Sequence, residues 1–173
     1  MIIKSVTQVG NPIIRKKSKK ITTAVSPKIK KIIKDLIDTM RFANLVGISA
    51  PQIGYNFRIF VTEIRTTTLR KTNEADKLRV FVNPRIINVS KKQVVGYEGC
   101  GSVAVAGIFG KVSRPNKITV KAFDENNKSF VFTARGLLAR VIQHEIDHLE
   151  GVIFLDKVSD KKSLMSREEY IKM

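Results

Sequence analysis

Between residues 133 and 151 the chain reads TARGLLARVIQHEIDHLEG, and its apolar positions recur every three or four residues: Leu137, Leu138, Val141, Ile142, Ile146 and Leu149. That period predicts an amphipathic helix, with Gly151 placed to stop it. Stepping about 100° per residue gathers the apolar positions into one broad arc. Glu145 falls near the middle of the arc, while Arg140, Gln143, Asp147 and Glu150 point the other way. A second helical pattern covers residues 27–42, where Ile29, Ile32, Ile33, Leu36, Ile37 and Met40 share a face and the lysines turn outward. Ser26 and Pro27 precede it as N-cap and first helical residue.

Elsewhere the pattern is strand-like. Residues 57–64 (FRIFVTEI) and 78–82 (LRVFV) are rich in Val, Ile and Phe. The polar residues 65–77 between them predict a loop, and Asn83-Pro84 predicts a break before pairing resumes over 85–89. Residues 118–123 and 129–133, joined through 124–128, predict a β-hairpin leading into the helix that carries both histidines. Residues 2–9 alternate loosely before the turn at Gly10-Asn11-Pro12. In residues 44–54 small residues and turn formers dominate, Pro51 disfavours a helix, and Gln52 reads locally as a surface amide. The tail, 159–173, predicts a short terminal helix. Together these elements predict an α+β fold: mostly antiparallel short strands around the central histidine-bearing helix, with the helix of residues 27–42 packed outside. Residues 1–173 read as a single domain, without repeats or a linker.

Composition adds three constraints. No apolar run approaches the roughly 18 residues that span a bilayer, and the N-terminal stretch has no sustained apolar core. The expectation is a cytoplasmic protein with no membrane partner. The net charge of +17 favours polyanions, RNA or a ribosome above all. The lysine groups at 16–20, 30–31 and 161–162 are nevertheless scattered and form no recognisable nucleic-acid motif. One cysteine, Cys100, leaves no partner for an internal disulfide.

The chemistry concentrates on few residues. The chain's two histidines, His144 and His148, stand four apart and stack on one helix face, so both can reach one metal ion with Glu145 close by. A carboxylate amid Leu, Val and Ile is costly unless compensated, and a metal-bound water would compensate it. Cys100 is bracketed by Gly99 and Gly101, which predicts an accessible backbone and little steric cover. If the thiol reaches both imidazoles, three protein ligands leave a fourth position open, the arrangement of catalytic sites. A metallopeptidase of the ordinary H-E-x-x-H type needs a third ligand further along, and no later histidine exists.

Residues 45–52 (LVGISAPQ), 98–102 (EGCGS) and 144–148 (HEIDH) follow, in order, the approximate patterns G-x-G-x-A-A-P-Q, E-G-C-x-S and H-E-x-D-H. In these stretches the chain resembles the peptide deformylases, metal hydrolases that remove the formyl group from the initiator methionine of new polypeptides. Similarity extends to residues 10–15, 81–84 and 136–139, so it covers nearly the whole chain. The resemblance implies that Cys100, His144 and His148 are the metal ligands and Glu145 the general base and acid. It implies that Gln52 and the N–H of Gly101 flank the reacting carbonyl. Val46, Gly47 and Gly99 would present backbone groups to the peptide, and Leu137 and Val141 would wall the methionine pocket. It implies one divalent metal ion, Fe2+ in cells, with Zn2+, Ni2+ or Co2+ possible in a purified sample. The implied partners are N-formyl-Met nascent peptides, with transient ribosome contact through the basic surface and a monomeric enzyme.

Four positions depart from the family pattern: Leu45 for glycine, Ser49 for alanine, Gly101 for leucine or glutamate, and Ala104 for proline. The competing expectation is a divergent member with weak or altered activity that binds the ribosome or RNA. Intact Cys100, Glu145, His144 and His148 speak against it.

Overall fold

The computed structural model describes residues 3–67 and 72–173. Helix α1 (Pro27–Phe42) starts where Ser26 Oγ accepts from Ile29 N, with Pro27 in the first turn. Eight strands follow in two antiparallel sheets. The chain gives β1 (Gly47–Ser49), β2 (Ile59–Ile64), β3 (Asp76–Val89), β4 (Gln93–Gly99), β5 (Ile108–Pro115), β6 (Lys117–Phe123) and β7 (Ser129–Arg135). Helix α2 (Gly136–Leu149) comes next, then β8 (Met165–Ser166) and the single-turn α3 (Arg167–Tyr170). The larger sheet has the order β1-β2-β3-β6-β7 and the smaller one β4-β5-β8.

Alternation along β2 and β3 places the two long helices on opposite faces of the larger sheet. Ile59, Val61, Val80 and Val82 pack with Ile29, Ile32 and Leu36 of α1. Phe60 and Phe81, one residue out of step, pack with Ala139, Ile142, Ile146 and Leu149 of α2. Strands buried on both faces read as nearly continuous apolar runs, which is why these two were legible. The smaller sheet closes over the other side of α2. The fold is thus α+β with α2 at its centre, as expected, and no helix among the described residues is long and apolar enough to cross a membrane.

Several expectations need correction. Asn83-Pro84 does interrupt pairing, since neither residue has a partner across the ladder, but β3 runs through it as one strand. Its first half pairs with β2 up to Val82, where pairing with β6 also begins, and the β6 register shifts between Val82 and Arg85. Pro84 has no N–H to offer, and in the shift none is required. Asn83 adopts φ 50°, and its amide donates to Ile21 O at 2.7 Å and accepts from Ile21 N at 2.9 Å. The loop of 65–77 ends earlier than expected, at Asp76, and its residues 68–71 lie outside the described residues, as does Ile2. Pro51 stands in a 3-10 turn, Ala50–Ile53, at a first-turn position where a missing N–H costs nothing. Residues 3–9 form no strand and instead pin two loops: Thr7 N donates to Gln52 O and Val9 N to Ser102 O, both at 2.8 Å. The tail makes a 3-10 turn at Lys161–Ser163 and is α-helical only over α3, where Tyr170 stacks on Phe109 with centroids 4.0 Å apart.

Candidate metal centre

His144 and His148 ride one turn apart on α2, with ring centroids 5.0 Å apart. Cys100 arrives from the turn that leaves β4. Its carbonyl accepts from Val103 N and Ala106 N at 3.0 and 3.1 Å, which folds the following residues back on themselves. Ala104, Val105 and Ala106 there all take left-handed φ, 47°, 53° and 59°. The side chain of Gln8 fastens this turn from outside, donating to Gly101 O at 2.8 Å and accepting from Val105 N at 3.1 Å. As a result Cys100 Sγ lies 3.1 Å from His148 Nε2, and one donor atom each of Cys100, His144 and His148 lie within 4.8 Å of one another.

The expectation of little steric cover at Cys100 is wrong. The residue is 3% exposed, with the Phe109 ring against Gly99 and the Leu45 side chain against Gly101. Ser102 N and Gln52 Nε2 both donate toward the sulfur, at 3.4 and 3.5 Å. Burial pushes the thiol up, but the adjacent His148 imidazole and hydrogen bonds from both histidines bring it well below its ordinary value. Burial alone would push His144 down, yet its bonds to Cys100 and Glu98 carry it well above the usual imidazole range. Thiolate against imidazolium is the charge pattern that a shared cation replaces.

Glu98 governs the orientation of His144. It is buried, and His144 Nδ1 donates to its Oε2 at 3.0 Å, leaving Nε2 to face the thiol. The same carboxylate accepts from Arg114 Nε and Nη2 at 2.9 and 2.8 Å and from Arg140 Nη1 at 2.8 Å. Burial raises its pKa, but the bonds from Arg114 and His144 outweigh that and hold it well below the usual carboxylate range. Arg114 reaches on to Asp147, on the histidine helix itself.

Gln52 is no surface amide. It is 2% exposed, and its Oε1 accepts from both Ser49 N and Ser49 Oγ at 2.8 Å. Those two donors fix the amide with its N–H groups toward the sulfur. Glu145 is buried as well, and burial pushes its carboxyl up to about 7 against the opposing pull of His144 and His148. Its Oε2 has no hydrogen-bond partner among the described residues. A Cβ on Gly47 would come within 2.7 Å of Glu145 Oε1, so only glycine lets β1 pass this close.

These residues meet in one cavity of about 80 Å³. Val46, Gly47, Gln52, Gly99, Cys100, Gly101, Leu137, Val141, His144 and Glu145 all line it, whereas His148 lies fully buried behind them. The N–H of Gly101 has no acceptor among the described residues. Buried thiolate and imidazole donors converge beside an unpartnered carboxylate oxygen, and that set fits a divalent cation with room for a small substrate.

Sequence reasoning missed Glu98, Arg114, Arg140 and Gln8 as parts of this site. Glu98 alone left a trace, as the first residue of E-G-C-x-S. Arg140, Gln143 and Asp147 do point away from the larger sheet, but into the smaller sheet rather than into solvent. Gln143 Nε2, for example, donates to Pro115 O at 3.0 Å.

A family profile described as polypeptide deformylase matches residues 3–164. The peptide deformylase of Dictyoglomus turgidum is 36% identical over 163 residues, 94% of this chain and 97% of that protein. A Met-Ala-Ser-bound class I type b peptide deformylase from Acinetobacter baumannii superposes with a TM-score of 0.84 at 27% identity, covering 90% of this chain and 99% of that one. The peptide deformylase of Ehrlichia chaffeensis in complex with actinonin gives 0.84 at 31% identity, with 99% and 95% covered.

Proposed function

The chain belongs to the peptide deformylase family, and from that premise we propose that it removes the N-formyl group from the initiator methionine of newly made polypeptides, releasing formate. The observation that carries this reading is the convergence of Cys100, His144 and His148 within 4.8 Å beside the buried carboxylate of Glu145. Cys100, His144 and His148 hold one divalent ion, ferrous in cells; mixed thiolate and imidazole ligation also suits zinc, cobalt or nickel. When bound, such an ion supplies Lewis acidity to the formyl carbonyl and to a water molecule.

The protein's own groups do the rest. Glu145, with a carboxyl near neutrality, takes a proton from the attacking water and returns it to the amine as the C–N bond breaks. The oxygen goes to formate and the electron pair to the methionine nitrogen. Gln52 Nε2 and the Gly101 N–H donate to the formyl oxygen as it gains charge, and losing one such donor costs about 3–4 kcal/mol of barrier stabilisation. Val46, Gly47 and Gly99 align the peptide backbone, while Leu137 and Val141 wall the methionine side chain. Formyl is the smallest acyl group, so a cramped site rejects larger ones by size.

Such an enzyme works as a monomeric single domain in the cytoplasm, where nascent chains emerge, and its net charge of +17 supports transient contact with the ribosome. An anaerobic formate-release assay on formyl-Met-Ala with iron supplied tests the proposal. Turnover is expected in the parent protein and should vanish in Glu145→Ala with the metal still bound. Formate at background with iron, cobalt or nickel loaded would overturn it.

A further inference from the structure

The wall of the cavity is not wholly apolar. Arg140 lines it beside Val46, Leu137 and Val141, with its side chain 13% exposed. The guanidinium lies over Gly96, where a Cβ would come within 3.1 Å of Nη2 and 3.2 Å of Cζ, so a larger residue at 96 would displace it. Four protein acceptors hold it in place. Nη1 donates to Glu98 Oε1 at 2.8 Å, to Val112 O at 2.9 Å and, more weakly, to Gly96 O at 3.4 Å, and Nη2 donates to Val94 O at 2.7 Å. A guanidinium carries five N–H groups in a rigid plane, and here the Nε–H has no acceptor among the described residues. Glu98 ties the same group to His144, so the wall and the catalytic centre keep a fixed spacing.

We propose that Arg140 is a specificity-determining residue of the methionine pocket, distinguishing a thioether from a hydrocarbon of the same shape. The proposal rests on the deformylase reading of this cavity. A methylene and a thioether sulfur differ little in size, so shape complementarity alone separates methionine from norleucine poorly. A norleucine side chain would cover the guanidinium and leave its spare N–H dry and unpartnered, which costs free energy. The methionine sulfur is polarisable and a weak acceptor, and relieves part of that cost.

Two measurements test this on the metal-loaded protein. Calorimetric titration compares Met-Ala-Ser with norleucyl-Ala-Ser, and steady-state assays compare kcat/KM for the two formylated peptides. The expected preference for methionine is about five-fold in both, the size of one weak hydrogen bond. It should shrink to less than about two-fold in Arg140→Leu. Arg140→Lys, which keeps a cation beside Glu98 but removes the planar fork, should lose the preference too and serves if the leucine variant fails to fold. A ratio near one in the parent protein, or a ratio that survives both substitutions, overturns the proposal. Methionine-selective binding without any formate release would sink the deformylase reading and leave the role of Arg140 standing. Turnover without selectivity would do the reverse.

Discussion

Two sheets hold the same helix by opposite means. On one side of α2, Ala139, Ile142, Ile146 and Leu149 meet Phe60, Phe81, Ile118 and Val120 of the larger sheet, carbon against carbon. On the other side Arg140, Gln143, His144 and Asp147 meet Glu98, Arg114 and strand carbonyls of the smaller sheet through charge and hydrogen bonds. Apolar contact is non-directional and tolerates small shifts, so it suits a scaffold. Charged hydrogen bonds are directional, so they suit the side that must hold a ring nitrogen and a thiolate in register. The division predicts that damage to the first side shows in stability and damage to the second in the site.

The largest expected effect is on the apolar side. Phe81 is fully buried and stacked on Phe60 with centroids 4.6 Å apart, so Phe81→Ala should cost about 3–5 kcal/mol in urea unfolding. Metal affinity of the folded fraction should hardly change; a large loss would erase the contrast between the two sides. Glu98→Gln comes next. It leaves Arg114 and Arg140 facing a neutral amide, for about 2–3 kcal/mol, and should weaken metal binding about 10- to 100-fold in a chelator competition. Normal affinity in that variant would show that the ionic side is only a clamp.

A smaller effect, of opposite sign, is expected in the turn behind Cys100. Val105 is exposed and held at φ 53°, so Val105→Gly should raise stability by about 1 kcal/mol in thermal melts. The smallest concerns an ion pair outside the smaller sheet, Glu63 of β2 with Arg41 of α1. Hydrogen bonds from Arg41 hold the Glu63 carboxyl below its usual value of 4.5. Its contribution is therefore present above that pH and lost as the solution is acidified through the lowered value. Half-exposed Arg41 limits it to at most about 1 kcal/mol, so the parent should exceed Glu63→Gln by that much at pH 7 and match it once acid has protonated the carboxyl. A gap that persists in acid would mean packing, not charge.

The same division decided what could be read from the chain. Periodicity exposed α1, α2, β2, β3 and the β6–β7 hairpin because their burial follows area. The convergence of Cys100, His144 and His148 beside Glu145 was legible because rare residues at helical spacing leave few alternatives. Strands β4 and β5 were not. Val94 and Val95 of β4 are exposed, and the inward position in β5 that an apolar residue would mark holds Arg114. Arg140 and Gln143 looked like a solvated face because nothing local says that a second sheet covers it. Gln52 looked ordinary because its partners, Ser49 and Cys100, are set by the fold.

Cys100 hangs from the smaller sheet while His148, 48 residues later in the chain, belongs to the helix. A cation shared between them fastens two separately built parts of the molecule, so its dissociation constant becomes a term in the folding equilibrium. In metal-starved cells the polypeptide itself, and not just its turnover, should then become scarce, as proteases remove molecules that open for want of the ion. Pulse-chase half-lives with and without a permeable chelator would expose that dependence directly.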